Sequence, residues 1–340
     1  MYKGWSLEEL ENVPKNGFKV FSFFSCGGGS SMGYKLAGFD VIGNCEIDQQ
    51  IFEIYKKNHN PLYSFNMDIR DFLHLENKEI PKELFEIDVL DGSPPCSVFS
   101  MAGNRENDWG RSKKFREGQS QQKLDDLFFE YIKAIDKLKP KVFIAENVKG
   151  LLLGNARGYV SEILNQINDI GYEVQMFLLN AALMGVPQRR ERVFFIGFRK
   201  ELGYTKLKLD FHENPILFGS VKSERGRPVT VNCIDLLKQK IPTDRALSDI
   251  NQRIYNKNSR FNAALVWDNR VAPTITAKGE FLRANDDSGL SDLDYISCQT
   301  FPYDYDFGGA NVQYICGMSV PPFMMQRIAK EVATQWLLKL

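Results

Sequence analysis

From about Lys19 to Phe198 the chain alternates short β-branched or aromatic runs with stretches of helical periodicity. Candidate strands fall at 19–24, 41–46, 87–91, 141–146, 173–179 and 193–198, and candidate helices at 49–58, 124–138 and 159–170. Strands interleaved with helices cannot close as hairpins. They form a mostly parallel, doubly wound α/β sheet with helices on both faces. In such a sheet ligands bind outside the carboxyl ends of the strands, so the residues that end each run carry the chemistry.

At either side of this block the pattern changes. Ser6-Leu7-Glu8-Glu9 has capping-box spacing and predicts a short polar helix at the start. Residues 199–270 are polar, with turn clusters at Glu213-Asn214-Pro215 and Gly226-Arg227-Pro228. They hold fourteen Lys and Arg against eight Asp and Glu, a surplus of six in a chain whose 43 basic and 43 acidic residues otherwise cancel. A neutral chain does not coat nucleic acid indiscriminately, but a local basic lobe can meet phosphates. Val320-Pro321-Pro322 followed by a periodic run predicts a proline-started terminal helix, with Ile328, Val332 and Trp336 on one face.

Six cysteines without a CxxC pair, beside three histidines, argue against a structural zinc site, and no metal is expected. No run of 18 apolar residues and no secretory h-region is visible, so the expectation is a cytoplasmic protein with no membrane contact and reduced thiols.

The first strand runs into Phe24-Ser25-Cys26-Gly27-Gly28-Gly29, where glycines allow a sharp turn close to a ligand. The second ends at Glu46-Ile47-Asp48, roughly 20 residues on, where doubly wound folds place the carboxylate that holds ribose hydroxyls. Asp68 is a third contact, placed to accept from an adenine amino group. The spacing favours an adenosine-containing cofactor and leaves NAD, FAD and S-adenosylmethionine open, although the missing GxGxxG turn disfavours a dinucleotide. The third run leads to Asp91-Gly92-Ser93-Pro94-Pro95-Cys96, in which two prolines fix where a nucleophilic thiol points. Glu146 in Glu146-Asn147-Val148 ends another run and can act as an acid or hydrogen-bond donor. Gln188-Arg189-Arg190-Glu191-Arg192 gathers guanidiniums before the last run.

In this order the glycine turn, GSPPCSVFS, ENV, QRRER and GMSVPP resemble the signature of the DNA (cytosine-5)-methyltransferase family of bacterial or phage type. The resemblance covers the chain from about Lys19 to its end, apart from the lobe at 199–270. It implies an S-adenosylmethionine-dependent methyltransferase fold, a seven-stranded sheet with a final antiparallel strand. It also implies a catalytic and cofactor-binding domain at 1–198, a small target recognition lobe at 199–270, and a segment at 271–340 that returns to the catalytic domain. By match of position Cys96 attacks C6 of a flipped cytosine, Glu146 engages N3 and the exocyclic amine, and Arg190 and Arg192 hold the base carbonyl and the catalytic loop. Phe24, Gly28, Gly29, Glu46 and Asp68 match the cofactor pocket, which Ser319 and Val320 complete. Residues 97–122, with Arg105, Arg111, Lys113, Lys114 and Arg116, resemble a loop that closes over base and phosphates, and Gln299-Thr300-Phe301-Pro302 matches an element that supports the lobe. The implied partners are double-stranded DNA and a cognate restriction endonuclease acting on the same site, with the protein a monomer.

Four positions depart from the family pattern: Cys26 for a glycine, Met318 for an asparagine, Ser288 for an arginine that braces the lobe, and Leu124 for another arginine. The alternatives are a transfer-RNA cytosine-5 methyltransferase of the same fold, which usually carries a Cys-Phe-Thr tripeptide absent here, and a non-catalytic DNA-binding partner, which needs none of Cys96, Glu146 or Arg190. A nicotinamide or flavin oxidoreductase would need the missing dinucleotide turn.

Overall fold

The computed structural model describes residues 4–95, 127–153, 157–256 and 263–339. It divides into two compact units, one formed by Asn12–Leu179, Glu191–Asp210 and Met325–Leu340, the other by Met1–Glu11, Asn180–Arg190 and Phe211–Met324.

The first unit is built on β1 (Lys19–Phe23), α1 (Gly29–Leu36), β2 (Asp40–Cys45), α2 (Gln49–His59), β3 (Tyr63–Phe65), α3 (Ile69–His74), β4 (Val89–Gly92), α4 (Leu127–Leu138), β5 (Val142–Val148), α5 (Arg157–Asp169), β6 (Tyr172–Asn180) and β7 (Glu191–Arg199). The strands lie in the order β3-β2-β1-β4-β5-β7-β6. All pairs from β3 to β5 are parallel and β7 runs antiparallel to β5. This is the expected doubly wound sheet with its antiparallel strand. From β1 the chain steps outward through β2 to β3, and then resumes on the other side with β4 and β5. The order therefore reverses between β1 and β4, which opens a crevice at their carboxyl ends.

Both faces are covered, which is why the strands read as apolar runs rather than alternating ones. Phe21, Phe23, Leu90, Phe143, Ala145 and Phe195 share one core with Leu127, Phe128, Tyr131 and Ile135 of α4 and Val160, Ile163 and Ile167 of α5. Val20, Val89, Val142, Ile144 and Ile196, of the opposite parity, are equally buried. Each such Leu, Ile or Phe contributes about 2 kcal/mol, so packing rather than propensity holds these helices. Helix α2 starts on Asp48, whose side chain accepts from Ile51 N–H at 3.1 Å, and α3 on Asp68, which accepts from Arg70 N–H at 2.8 Å.

In the second unit α6 (Val231–Leu237) and α7 (Leu247–Tyr255) pack over β8 (Ala264–Val266), β9 (Phe281–Arg283) and β10 (Ser288–Gly289) around Leu237, Leu247, Ile250, Leu265 and Leu282. Helices α8 (Asp292–Gln299) and α9 (Val312–Met318) follow, and α10 (Pro322–Gln335), which from Met325 belongs to the first unit, begins on the proline that marked it in the sequence. Ile328, Val332 and Trp336 are all buried. The Trp336 indole donates to the Thr205 carbonyl at 2.8 Å and its ring packs on Phe198. The opening segment Leu7–Asn12 is a 3-10 helix rather than an α-helix. Ser6 N–H donates to Glu9 Oε1 at 3.0 Å as the capping-box spacing expects, but Pro14 stops propagation. Among the described residues no helix is long and apolar enough to cross a membrane.

Candidate active site

The turn after β1 is sharply bent. Phe24 and Cys26 hold φ values of 54° and 46°, in the left-handed region, and Gly28 follows at 71° as the N-cap of α1. A side chain at Gly28 would also overlap the imidazole of His59, so glycine is required there on both counts. His59, the last residue of α2, is buried, stacked on Tyr55 at 4.3 Å and hydrogen-bonded with the backbone of Gly27. Burial and the neighbouring Lys35 hold its imidazole well below the usual histidine range, so it supports the turn as a neutral ring.

Glu46 reaches this turn from the end of β2. Its Oε2 accepts from Cys26 N–H at 2.9 Å and its Oε1 from Asp48 N–H at 3.0 Å. Burial pushes the carboxyl up, and these backbone donors pull it back toward the ionised form. Ile47, beside it, is 40% exposed, an apolar side chain left in solvent at the mouth of an otherwise polar turn. Asp68 is committed to its own helix, with Oδ1 accepting from Arg70 N–H and Oδ2 from the Arg70 guanidinium at 3.1 Å. Phe24, Gly28, Gly29 and Glu46 are thus brought together, with Asp68 following the neighbouring strand. Ser319 and Val320 belong to the second unit. They lie buried at the end of α9, where Ser319 Oγ donates to the Ile315 carbonyl at 2.8 Å.

At the end of β5 the sheet register sets Arg192 opposite Val148 and Phe194 opposite Glu146, so Glu146 and Arg192 are diagonal neighbours on one face. Arg192 Nε donates to Glu146 Oε1 at 2.8 Å, with both side chains nearly buried. Burial lowers the guanidinium's pKa and the carboxylate beside it raises it again. Asn147, between them in sequence, turns the other way and donates from Nδ2 to the Pro94 carbonyl at 3.2 Å. The diproline turn is thereby tied to the strand that presents Glu146. Cys96, residues 97–122 and Leu124 lie outside the described residues.

Arg190 is employed differently. Its side chain is 2% exposed, and its terminal nitrogens donate to the carbonyls of Ile275 at 3.1 Å and Gly317 at 3.0 Å. Gln188, also buried, donates to Gln299 Oε1 at 2.7 Å, and Gln299 donates to the Ser319 carbonyl at 2.6 Å. The Gln188 and Gln299 motifs are one hydrogen-bonded spine inside the second unit. At Ser288, where the family carries a bracing arginine, the hydroxyl donates to Asp286 at 2.6 Å. The brace comes instead from Arg283, fully buried, which donates to both oxygens of the equally buried Asp294, from Nε at 3.0 Å and Nη2 at 2.8 Å. Asp294 also closes the capping box of α8 with Ser291. Nothing in the sequence pairs Arg283 with Asp294, since a long-range ion pair leaves no periodic signal. Asn147 and Ile47 lie within the Glu146-Asn147-Val148 and Glu46-Ile47-Asp48 motifs, but only the fold shows what each faces.

A seven-stranded sheet with an antiparallel β7, a glycine turn after β1 and a carboxylate ending β2 together define a methyltransferase fold. The chain belongs to the C-5 cytosine-specific DNA methylase family, whose model matches residues 18–334. It is similar to the Type II methyltransferase M.FnuDI of Fusobacterium nucleatum, 38% identical over 193 residues, 57% of this chain and 50% of that protein. The chain therefore spans about half the length of that relative. It is 27% identical over 334 residues to M.HindV of Haemophilus influenzae, a Type II methyltransferase, covering 92% of this chain and 96% of the relative. In fold it is similar to a candidate DNA modification methyltransferase encoded within an Escherichia coli prophage, with a TM-score of 0.69 at 19% identity, covering 94% of this chain and 99% of that one.

Proposed function

We propose that the chain methylates C5 of a specific cytosine in double-stranded DNA, with S-adenosylmethionine as donor. The supporting observation is the Glu146–Arg192 pair, held beside the Asn147–Pro94 tie at the carboxyl edge of the sheet that also carries the glycine turn. The crevice fits the donor's adenosine half. Glu46 has lone pairs left for ribose hydroxyls, Gly28 leaves the turn without a side chain, and Phe24 and Ile47 offer apolar surface for an adenine ring. When bound, the donor supplies an electrophilic methyl group.

The remaining steps belong to this chain's residues and the base. C6 of cytosine is out of reach in a duplex, so the base is flipped out at a cost of a few kcal/mol. The Cys96 thiolate adds to C6, which places electron density on C5. Glu146 accepts from the exocyclic amine and, on taking up a proton, donates to N3, so the charge that develops on the ring is met by a hydrogen-bond donor. Arg192, fixed by Glu146, holds the base carbonyl, and Arg190 anchors the strand start from which Arg192 projects. After methyl transfer a base removes the C5 proton and the C6–S bond breaks, restoring Cys96 and the aromatic ring. The lobe at 199–270, with its basic surplus, reads the target site, and a restriction endonuclease cutting that site is the partner assigned by this reading.

Base-resolution mapping of 5-methylcytosine in a host expressing the protein tests this. New methylation confined to one short motif is the expected result. Unchanged host DNA, with soluble protein present, would overturn it.

A further inference from the structure

Asp91 plays no part in the chemistry above, yet it is a buried carboxylate of the first unit without a cationic partner among the described residues. It lies on β4 two residues before Ser93 and is 2% exposed. Its Oδ2 accepts from Ser22 Oγ of β1 and from Ser30 Oγ of α1, each at 2.7 Å, and Tyr34 Oη of α1 lies 3.4 Å from its Oδ1. Among the described residues no Lys or Arg pairs with it. Among the described residues three hydroxyls compensate the buried carboxylate, an arrangement costly enough to need a reason.

The reason lies in what α1 lacks. This eight-residue helix starts on Gly28, which has no side chain to cap it. Its first turn is held instead through Ser30 by Asp91, and Asp91 stands on the strand that leads into Ser93-Pro94-Pro95. From the other side β4 is fixed by Tyr131, whose hydroxyl donates to the Leu90 carbonyl at 2.8 Å and whose ring fills the space above Gly92. Any slack in the Asp91 contacts therefore falls on α1.

We propose that Asp91 is a positioning residue whose ionised carboxylate ties the cofactor turn, through the first turn of α1, to the strand carrying the diproline turn. The inference rests on the reading that S-adenosylmethionine binds at that turn. An ionised carboxylate accepts from all three hydroxyls at once, whereas the neutral acid must donate its own proton, so one hydroxyl has to turn away. Burial pushes this carboxyl up to about 6, the three hydroxyls pull it down, and the Glu146 carboxylate pushes it up again. Among the described residues the titratable groups facing it are Tyr34 of α1, Tyr55 of α2, Tyr131 of α4 and Glu146 of β5. The tyrosines are all pushed up and stay neutral, and Glu146 is held by Arg192. The tie is therefore set above pH 6 and slackens below it.

Calorimetric titration with S-adenosylhomocysteine between pH 5 and 8, on the wild type and on Asp91→Asn, tests this, together with amide hydrogen exchange across residues 27–33 without ligand. Asp91→Asn should bind about tenfold more weakly at pH 7.5, as expected for losing a charge-assisted hydrogen bond. It should also lack the fall near pH 6 that the wild type shows, and exchange faster at 28–32, with DNA affinity unchanged. Glu46 contributes the same pH dependence to both proteins, so the difference isolates Asp91. Ser30→Ala, which keeps the carboxylate and removes one donor, should bind with intermediate affinity and serves if Asp91→Asn does not fold. Variants that bind as the wild type does at every pH would overturn the tie. A wild type that binds no ligand at any pH would overturn the cofactor reading beneath it.

Discussion

Glu146 and Arg192 hold each other at 2.8 Å in nearly buried surroundings, so each is the other's main compensation. Glu146→Gln keeps the shape and removes the charge. Turnover should fall by at least about 100-fold in a methyl-transfer assay, because a positioned acid–base group is worth that much, while circular dichroism stays native. Cys26 is another residue with a definite cost. A non-glycine side chain at φ 46° is strained by about 1 kcal/mol. Cys26→Gly should therefore raise stability by roughly that amount in urea unfolding, less the flexibility glycine adds to the unfolded chain. A loss of stability would show that the thiol has packing the backbone strain does not outweigh. His59 gives a pH prediction. Its folded form is held neutral well below the usual range, whereas the unfolded chain takes up the proton below about pH 6.5. Stability is therefore lost as pH falls below about 6.5. His59→Gln removes that contribution, so the drop in melting temperature between pH 7.5 and 5.5 should be smaller in the variant than in the wild type.

At the level of elements, the Arg283–Asp294 pair is what joins β9 to the start of α8. Arg283→Ala leaves Asp294 buried without its counter-charge and should cost about 3–5 kcal/mol, with the Arg283→Ala/Asp294→Ala double variant less damaged than the sum of the singles. Additive losses in denaturant unfolding would contradict a coupled pair. The elements of the large sheet were legible in the sequence because a strand buried on both faces is an uninterrupted apolar run. Those at 41–46, 141–146 and 193–198 match β2, β5 and β7 within a few residues. Strand β3 was not legible, since Tyr63–Phe65 is three half-buried residues just after Pro61. The lobe's strands, of two or three residues each, carry no periodicity for the same reason. Within the site, Glu46 and Glu146 could be found because they end strands. Asn147, Asp91 and Arg283 could not be assigned, because their partners Pro94, Ser30 and Asp294 are chosen by the fold rather than by spacing.

On the scale of the molecule, the chain has no net charge and concentrates its basic surplus in residues 199–270, the stretch proposed to meet DNA. A surplus of six that neutralises about four phosphates implies that DNA affinity falls ~100-fold between 50 and 200 mM salt, whereas binding of S-adenosylhomocysteine changes little over that range. Equal salt dependence of the two ligands would place the phosphate contacts elsewhere. The compact unit that contains the basic stretch from Phe211 onward continues to Met324, beyond the 270 boundary suggested by composition, because the Gln188–Gln299–Ser319 spine and the Arg283–Asp294 pair are internal to it. Charge marks the surface of such a lobe and says nothing of where its core stops. The proposed reaction turns on a transient bond between the Cys96 sulfur and a pyrimidine ring. Its most direct measurement is a denaturing gel of the protein incubated with S-adenosylmethionine and duplex DNA bearing 5-fluorocytosine in its target site, since fluorine at C5 cannot leave as the proton does. A covalent protein–DNA band that requires the donor and vanishes in Cys96→Ala is the expected result. A band that survives Cys96→Ala, or none from a wild type that methylates ordinary DNA, would contradict it.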